Sequence, residues 1–475
     1  HWDVKGVYDR YANHGGGKQH TQRVQLGHLE HLSSQADKEA QLPTCAACVE
    51  QNKVCKCGDQ QNAELVLEKD NHKCENSSFA HSVINMIGML IGLGQLSTPY
   101  ALENGGWTSI FILLGLAMAC AYTSHVIGKC LEENVTSKSY QDIGKQAFGR
   151  KGKIITSIFI YLEIFLSLVS YTISLHDNLS LAFIGTRINI PWLHISTNQL
   201  LTITAVLVAL PSIWLRDLSS ISFLSFGGII MSVLIFITVG TIAALGNVKA
   251  NKSIPIIQIH KIPGITGLYI FSYAGHIVFP NLYRAMKDTS KFTKVAITSF
   301  SLVTIHYTAI AIIGAKLFGS SVSSQITLSM PPHLLLTKIA LWATVLTPMT
   351  KYALEFAPFA IQLEHSLPSS MSPRAKMLVR GGVGSVVLLL ILSLALSVPY
   401  FEYVLSLTGS LISSFICLVF HASSTSKSAG LESPRRPDSS TCCLLCWVAS
   451  LGCWVRSRLQ GRCSTASALV EAVAY

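Results

Sequence analysis

Long apolar stretches separated by short polar connections make up most of the chain between residues 79 and 420. A helix needs about 18 or more apolar residues to cross the hydrocarbon core of a bilayer. Ten such stretches are visible, at residues 79–101, 106–129, 154–184, 198–215, 219–246, 263–284, 294–318, 334–363, 379–398 and 402–420. The pattern predicts an all-α polytopic membrane protein with ten visible spans and the lipid bilayer as its surroundings.

Glycine and proline interrupt two of these stretches. The first, NMIGMLIGLGQLSTPYALENGGW, contains Gly92, Gly94 and Pro99, and the stretch at 263–284 contains Gly275 and Pro280. A broken helix at membrane depth persists only where it is buried in protein or lines a cavity. Two broken helices at matching places in two halves predict the binding site of an inverted-repeat transporter. The alternative is a pair of kinked helices whose small residues form helix contacts.

The polar ends differ from the apolar middle. Residues 1–75 are rich in His, Gln and Lys and predict a disordered cytosolic tail, residues 76–420 form the transmembrane domain, and residues 421–475 form an atypical Cys-rich tail. Thiol pairs near the N-terminus offer ligands for zinc, but their close spacing favours an unstructured tail and no metal. These pairs are Cys45 with Cys48, and Cys55 with Cys57.

Charge adds orientation and excludes some function classes. The chain is 50% hydrophobic, only 13% charged and carries a net charge of +11. Lys and Arg concentrate in the connections 129–153, 284–294 and 374–380, which predicts that these lie in the cytosol together with the N-terminus. The positive charge is therefore explained without a nucleic-acid partner. No GxSxG or HExxH motif occurs, so we expect no enzyme.

Four segments carry a family resemblance. The strings at 82–107, 161–179, 272–294 and 346–364 resemble the first, third, sixth and eighth helices of the amino acid/auxin permease family. The resemblance covers about residues 76 to 420 and is strongest to the plant vacuolar amino acid transporters, relatives of the vesicular inhibitory amino acid transporters.

The resemblance implies a LeuT-like fold of five-plus-five inverted repeats and one extra helix. It also implies transport of neutral amino acids across the vacuolar membrane, or alternatively the plasma membrane. Protons are the expected coupling ion and no other cofactor is expected. Sodium is less expected because Gly88 stands where many relatives carry Asn. After residue 420 the chain turns polar, so we expect the eleventh helix to be lost or replaced. The alternative function is an amino acid sensor without net transport.

The two breaks supply groups that suit an amino acid. Amide N–H groups around the first break can hold the carboxylate, and carbonyl groups between Ser272 and Gly275 can accept the ammonium. Ser97 and Thr98 add hydroxyls, which alternatively bond back to helical carbonyls. The predicted substrate-binding residues are Ile91, Gly92, Gly94, Gln95, Ser97, Tyr171, Ser272, Tyr273 and Gly275.

Ionisable residues within the spans predict proton coupling, because such groups are costly in a membrane and mark proton pathways. Glu163 and His276 are candidate proton carriers. Lys351 can supply a fixed positive charge where sodium sits in relatives, with Glu355, Thr347 and Thr350 nearby on the same helix. The alternatives are an i,i+4 ion pair for Lys351 and Glu355, a headgroup position for Glu163 and a simple hydrogen bond for His276.

Overall fold

A computed structural model of the chain describes residues 77–134, 137, 139–186, 196–214, 218–245, 248, 253–368, 370–398 and 400–419. The predicted tails, the paired cysteines near the N-terminus and the fate of the eleventh helix lie outside the described residues.

The described residues are almost entirely helical, as the apolar pattern predicts. After α13 the backbone continues in wider π-helical turns over Thr408–Ser413 and Phe415–Val419, here called the terminal π segment. In chain order the α-helices are α1 Phe79–Leu90, α2 Gly94–Gly105, α3 Thr108–Glu133, α4 Tyr140–Ala182, α5 Thr197–Trp214, α6 Leu218–Ala244, α7 Ile262–Ser272, α8 Phe279–Ala285, α9 Phe292–Phe318, α10 Ile326–Ser329, α11 Leu335–Ser366, α12 Pro373–Ser397 and α13 Phe401–Leu407.

Every predicted apolar stretch contains helix. Within the described residues, five helical stretches are long and apolar enough to cross a membrane, and the bent pair α1–α2 adds a sixth if it counts as one span. The five are Thr108–Glu133, Tyr140–Ala182, Phe226–Ala244, Thr289–Ser321 and Arg374–Ser397. The polytopic helical class is therefore confirmed, and the count of ten spans stays a prediction.

The first predicted break is a sharp bend. Helix α1 ends at Leu90, α2 begins at Gly94, and the two axes differ by 59°. Pro99 lies inside α2 and has no N–H for the carbonyl of Gln95. The Thr98 hydroxyl donates to that carbonyl instead, at 3.2 Å. The helix can continue past the proline because a neighbouring side chain replaces the missing donor.

The second predicted break separates α7 from α8. Helix α7 ends at Ser272 and α8 begins at Phe279, so residues 273–278 form the non-helical connection. Short turns hold it, with Val278 N–H donating to the Gly275 carbonyl at 3.0 Å and Phe279 N–H to the His276 carbonyl at 3.3 Å. This stretch matches the position that glycine and proline predict.

Helix α4 is divided by Gly149, whose φ of 66° lies in the left-handed region that favours glycine. The Ser139 and Asp142 side chains form a capping box at its start. Tyr140 in the short first part donates its hydroxyl to the Ile416 carbonyl at 2.7 Å. The beginning of α4 is thereby fixed to the terminal π segment.

Three sets of contacts surround the breaks. Helix α9 packs against α1, α2 and α3, while α11 packs against α4 and α6. Helix α7 packs against α2, α13 and the terminal π segment. At this last crossing Gly267 and Gly409 allow the two backbones to touch, because a Cβ atom at Gly409 would collide with the Gly267 carbonyl.

Gly409→Ala is expected to destabilise the folded protein by about 1–3 kcal/mol, because the added methyl overpacks this crossing. The measurement is the melting temperature in detergent. The matched control is Gly240→Ala on α6, where a Cβ meets no atom within 4 Å. Equal melting temperatures for the two variants would contradict the close crossing.

Candidate functional site

An enclosed cavity of about 50 Å³ lies between the two breaks. Its walls come from the end of α1 and start of α2, from the connection between α7 and α8, and from the middle of α4 and α11. The lining residues are Met89, Leu90, Gly92, Leu93, Gly94, Glu163, Ile164, Ser167, Tyr171, Phe271, Ser272, Ala274, Gly275, Ile277, Val278 and Glu355. The interrupted segments therefore meet at one place, with two carboxyl side chains beside them.

Side chains from other helices satisfy the carbonyls at the end of α1. The last carbonyls of a helix have no intrahelical donor, which is costly where no water reaches them. Lys351 on α11 donates from Nζ to the Gly88 carbonyl. Tyr307 on α9 donates from its hydroxyl to the Leu90 carbonyl at 2.8 Å. Lysine also places its charge at the negative end of the helix dipole.

Tyr307 connects the two breaks. Besides the Leu90 carbonyl, its hydroxyl lies 3.2 Å from the Ser272 carbonyl, the last residue of α7. The side chain is fully buried. Sequence reasoning missed this residue because Tyr307 lies in an uninterrupted apolar stretch, where an aromatic residue reads as core packing.

Glycine allows close approach on two sides of the first break. A Cβ atom at Gly94 would lie 2.6 Å from the Ser272 Cβ and 2.9 Å from its Cα. A Cβ atom at Gly92 would lie 2.8 Å from the Tyr171 hydroxyl oxygen. Both distances are shorter than van der Waals contact, so these positions need glycine for reasons of space.

Glu163 lies in the cavity wall and is almost completely buried, with 6% of its surface exposed. Its Oε1 accepts a hydrogen bond from Ser413 Oγ in the terminal π segment at 2.6 Å. The headgroup position that the sequence left open is therefore wrong. Glu355 lines the same cavity from α11, one turn beyond Lys351.

The predicted substrate and coupling residues divide into two groups. Seven of them line the cavity: Gly92, Gly94, Tyr171, Ser272, Gly275, Glu163 and Glu355. The others lie outside this lining: Ile91, Gln95, Ser97, Tyr273, His276, Thr347, Thr350 and Lys351.

The hydroxyl and amide groups outside the lining bond elsewhere. Ser97 donates to the Gly94 carbonyl at 3.2 Å, and Thr347 and Thr350 also donate to carbonyls of their own helix. Gln95 Oε1 lies 2.9 Å from His306 Nε2 on α9. The Tyr273 hydroxyl lies 2.9 Å from Thr304 Oγ1, also on α9. These contacts fit the simpler alternative of back-bonding and helix packing.

His276 lies behind the cavity wall, next to the lining residue Gly275. Its Nε2 is 2.9 Å from Thr123 Oγ1 and 3.2 Å from the Cys120 carbonyl, both on α3. The ring is fully buried beside Phe279. A role for His276 in coupling stays a prediction, without direct access to the cavity.

A second, more open pocket of about 330 Å³ lies between α2, α7 and α13. Its polar walls include Asn104, Lys261 and Glu402. Lys261 Nζ donates to Asn104 Oδ1 at 2.7 Å. Gly264 and Ser406 also line it, and these two residues share a hydrogen bond that joins α7 to α13.

Comparison with known proteins identifies the family. The profile described as "Transmembrane amino acid transporter protein" matches residues 75–460. The chain belongs to this family. The match continues beyond the last described residue, and the predicted loss of the eleventh helix stays a prediction.

Individual relatives agree with this assignment. Amino acid transporter AVT1H from Arabidopsis thaliana is 62% identical over 370 residues, covering 78% of this chain and 85% of the relative. Amino acid transporter AVT1E from the same plant is 40% identical over 361 residues, covering 75% and 67%. The vesicular GABA transporter of Caenorhabditis elegans is 25% identical over 391 residues, covering 77% and 76%.

A solved structure supports the fold. MhsT in complex with L-phenylalanine superposes with a TM-score of 0.55 at 14% identity, covering 80% of this chain and 96% of MhsT. This chain is therefore a polytopic amino acid transporter with a LeuT-like neighbour, and the expectation that it is not an enzyme is confirmed by its relatives.

Gly94→Ala is expected to reduce amino acid flux at least tenfold at equal membrane abundance, because the methyl group pushes α2 away from Ser272. Adding Ser272→Gly removes the nearest colliding atoms and is expected to restore part of the flux. Gly115→Ala on α3, where a Cβ meets nothing within 4 Å, is the control. Wild-type flux in Gly94→Ala would show that the breaks need not touch.

Tyr307→Phe is expected to lower stability in detergent by about 1–3 kcal/mol, since the Leu90 and Ser272 carbonyls lose a buried donor. Tyr269→Phe on α7 is the matched control, because that buried hydroxyl pairs with the Ser109 side chain and not with a carbonyl at a break. The readout is the difference in melting temperature. A larger loss in Tyr269→Phe would contradict the bridging role of Tyr307.

Proposed function

We propose that this chain carries neutral amino acids across the vacuolar membrane, coupled to protons, by alternating access around the two broken helices. The observation that supports this most is the enclosed cavity at which both breaks meet. In secondary transporters, discontinuous helices supply the site for substrate and coupling ion near the middle of the membrane. Family membership makes an amino acid the expected occupant.

The helix ends at the cavity suit a zwitterion. Helix α2 begins at Gly94, and its first N–H groups and positive dipole end can hold a carboxylate. Helix α7 ends at Ser272, where the carbonyls and negative dipole end can hold an ammonium. Both residues line the cavity, so the two opposite ends face one ligand.

Size and charge favour a neutral substrate. The cavity of about 50 Å³ has room for roughly four water molecules, which is close to the size of a small amino acid. A long cationic side chain exceeds this space. An acidic side chain would meet the carboxyl groups of Glu163 and Glu355, while the nearby cation Lys351 is already bonded to Gly88.

Glu163 is the proton carrier that the geometry favours. It lies in the cavity wall, and its hydrogen bond from Ser413 ties it to the terminal π segment. Protonation removes its charge and changes that contact, which links proton uptake to a helix at the cavity edge. Lys351 supplies a positive charge at the end of α1, so the carbonyls there need no sodium ion.

The membrane and orientation rest on sequence. The vacuolar location comes from the family resemblance, and the cytosolic N-terminus from the distribution of Lys and Arg over the connections. Thus the cytosolic side would hold the connection between α8 and α9.

Purified protein in liposomes tests the proposed function. Uptake of labelled neutral amino acids should rise when a pH gradient is imposed and should not respond to a sodium gradient of equal size. Binding of the amino acid without uptake under either gradient would favour a sensor. Uptake that follows the sodium gradient would contradict proton coupling.

Glu163→Gln is expected to abolish accumulation driven by a pH gradient while exchange of internal for external amino acid continues, because Gln keeps the shape but cannot carry a proton. Glu133→Gln at the exposed end of α3 is the control. Gradient-driven accumulation that survives in Glu163→Gln but disappears in His276→Gln would assign the proton to His276 instead.

A further inference from the structure

Two thiols and an imidazole meet behind the cavity wall, in a cluster made by Cys120, His276 and Cys417. One ligand atom from each lies within 4.8 Å of the others, and all three side chains are fully buried. They come from three separate parts of the fold: α3, the connection between α7 and α8, and the terminal π segment. We propose that this cluster is a binding site for a zinc-like transition metal ion.

The donor set matches the chemistry of zinc. Zinc binds cysteine thiolates at about 2.3 Å and imidazole nitrogen at about 2.0–2.1 Å, in tetrahedral geometry. That geometry separates neighbouring ligand atoms by roughly 3.5 Å, so atoms within 4.8 Å of one another need to move inward by roughly 1 Å. Soft sulfur donors exclude calcium and magnesium, which prefer oxygen.

Charge balance allows the ion to stay in an apolar interior. Each thiol gives up its proton when its sulfur bonds the metal, so two S–H bonds break and two metal–sulfur bonds form. Two thiolates neutralise a divalent ion, and the imidazole binds as the neutral ring. The centre then carries no net charge, which avoids the cost of an isolated buried ion. The two protons leave to water, and no oxidant is needed.

The surroundings hold the histidine in position. Thr123 Oγ1 and the Cys120 carbonyl lie 2.9 Å and 3.2 Å from Nε2, so the ring is oriented by the same turn of α3 that carries one thiol. Phe279 packs against the ring at a centroid distance of 4.9 Å. Metal-binding histidines are commonly oriented by such neighbouring groups.

A bound ion would connect parts that must move if the chain works as proposed. Gly275 lines the cavity and His276 follows it directly, while Ser413 in the terminal π segment bonds Glu163. Joining the α7–α8 connection to α3 and the terminal π segment is expected to slow alternating access. This effect on flux rests on the proposed function, whereas metal binding itself does not.

Metal binding is measured first, on the full-length chain with every cysteine except Cys120, Cys130 and Cys417 changed to serine. After incubation with Zn²⁺ and desalting in detergent, we expect one zinc per chain by elemental analysis and a raised melting temperature. Cys120→Ser and Cys417→Ser should each weaken zinc binding at least tenfold. Cys130→Ser is the matched control, since Cys130 is also buried on α3 but lies outside the cluster.

Cadmium provides a second readout if a variant folds poorly. Cd²⁺ added to the folded Cys130→Ser protein should produce the ultraviolet absorption of cadmium–thiolate bonds, with an intensity for two thiolates. No zinc retained and no such absorption would overturn the site, as would equal binding in all three serine variants.

Flux then separates the two proposals. Zinc should inhibit amino acid uptake in the protein that keeps all three cysteines and not in Cys417→Ser. A protein that binds one zinc through Cys120 and Cys417 but transports nothing would retain the metal site and reject the transport function. Uptake that is unaffected by bound zinc would overturn the inhibitory effect alone.

Discussion

The need to satisfy backbone carbonyls inside a membrane governs the arrangement around the cavity. Helix α1 stops at Leu90 in the interior, where water cannot replace the lost helical donors. Lys351 reaches the Gly88 carbonyl from α11, and Tyr307 reaches the Leu90 carbonyl from α9. The break therefore depends on two other helices, and those helices are fixed in position by it. This dependence allows an irregular backbone to line a binding site without unravelling.

Two kinds of contact bring the breaks together. Tyr307 shares one hydroxyl between the last carbonyls of α1 and α7, at Leu90 and Ser272. Gly94 allows α2 to approach Ser272 more closely than any side chain would permit. Opposite helix ends thus face one cavity, and Glu163 connects that cavity to the terminal π segment through Ser413. A transporter can use such links because a change at one contact alters the packing of several helices.

The sequence predicted the elements better than their partners. Hydropathy located helix in every apolar stretch, and Gly92, Gly94 and Pro280 marked both breaks, because these features act locally. Tyr307 and Ser413 could not be recognised in this way, since each bonds a group more than 200 residues away. Lys351 was noticed for its charge, but its carbonyl partner on α1 emerged only from the fold. Ser97 shows the opposite error, because its hydroxyl bonds its own helix and not the cavity.

The central claim is that the amino acid binds between the two breaks, with its carboxylate at the start of α2. The most direct measurement is an electron cryo-microscopy structure in a lipid nanodisc with the neutral amino acid that gives the highest flux. The account predicts ligand density bordered by Gly94, Ser272 and Tyr171, with the carboxylate towards Gly94. Density confined to the open pocket at Lys261 and Glu402, with an empty cavity between the breaks, would contradict it.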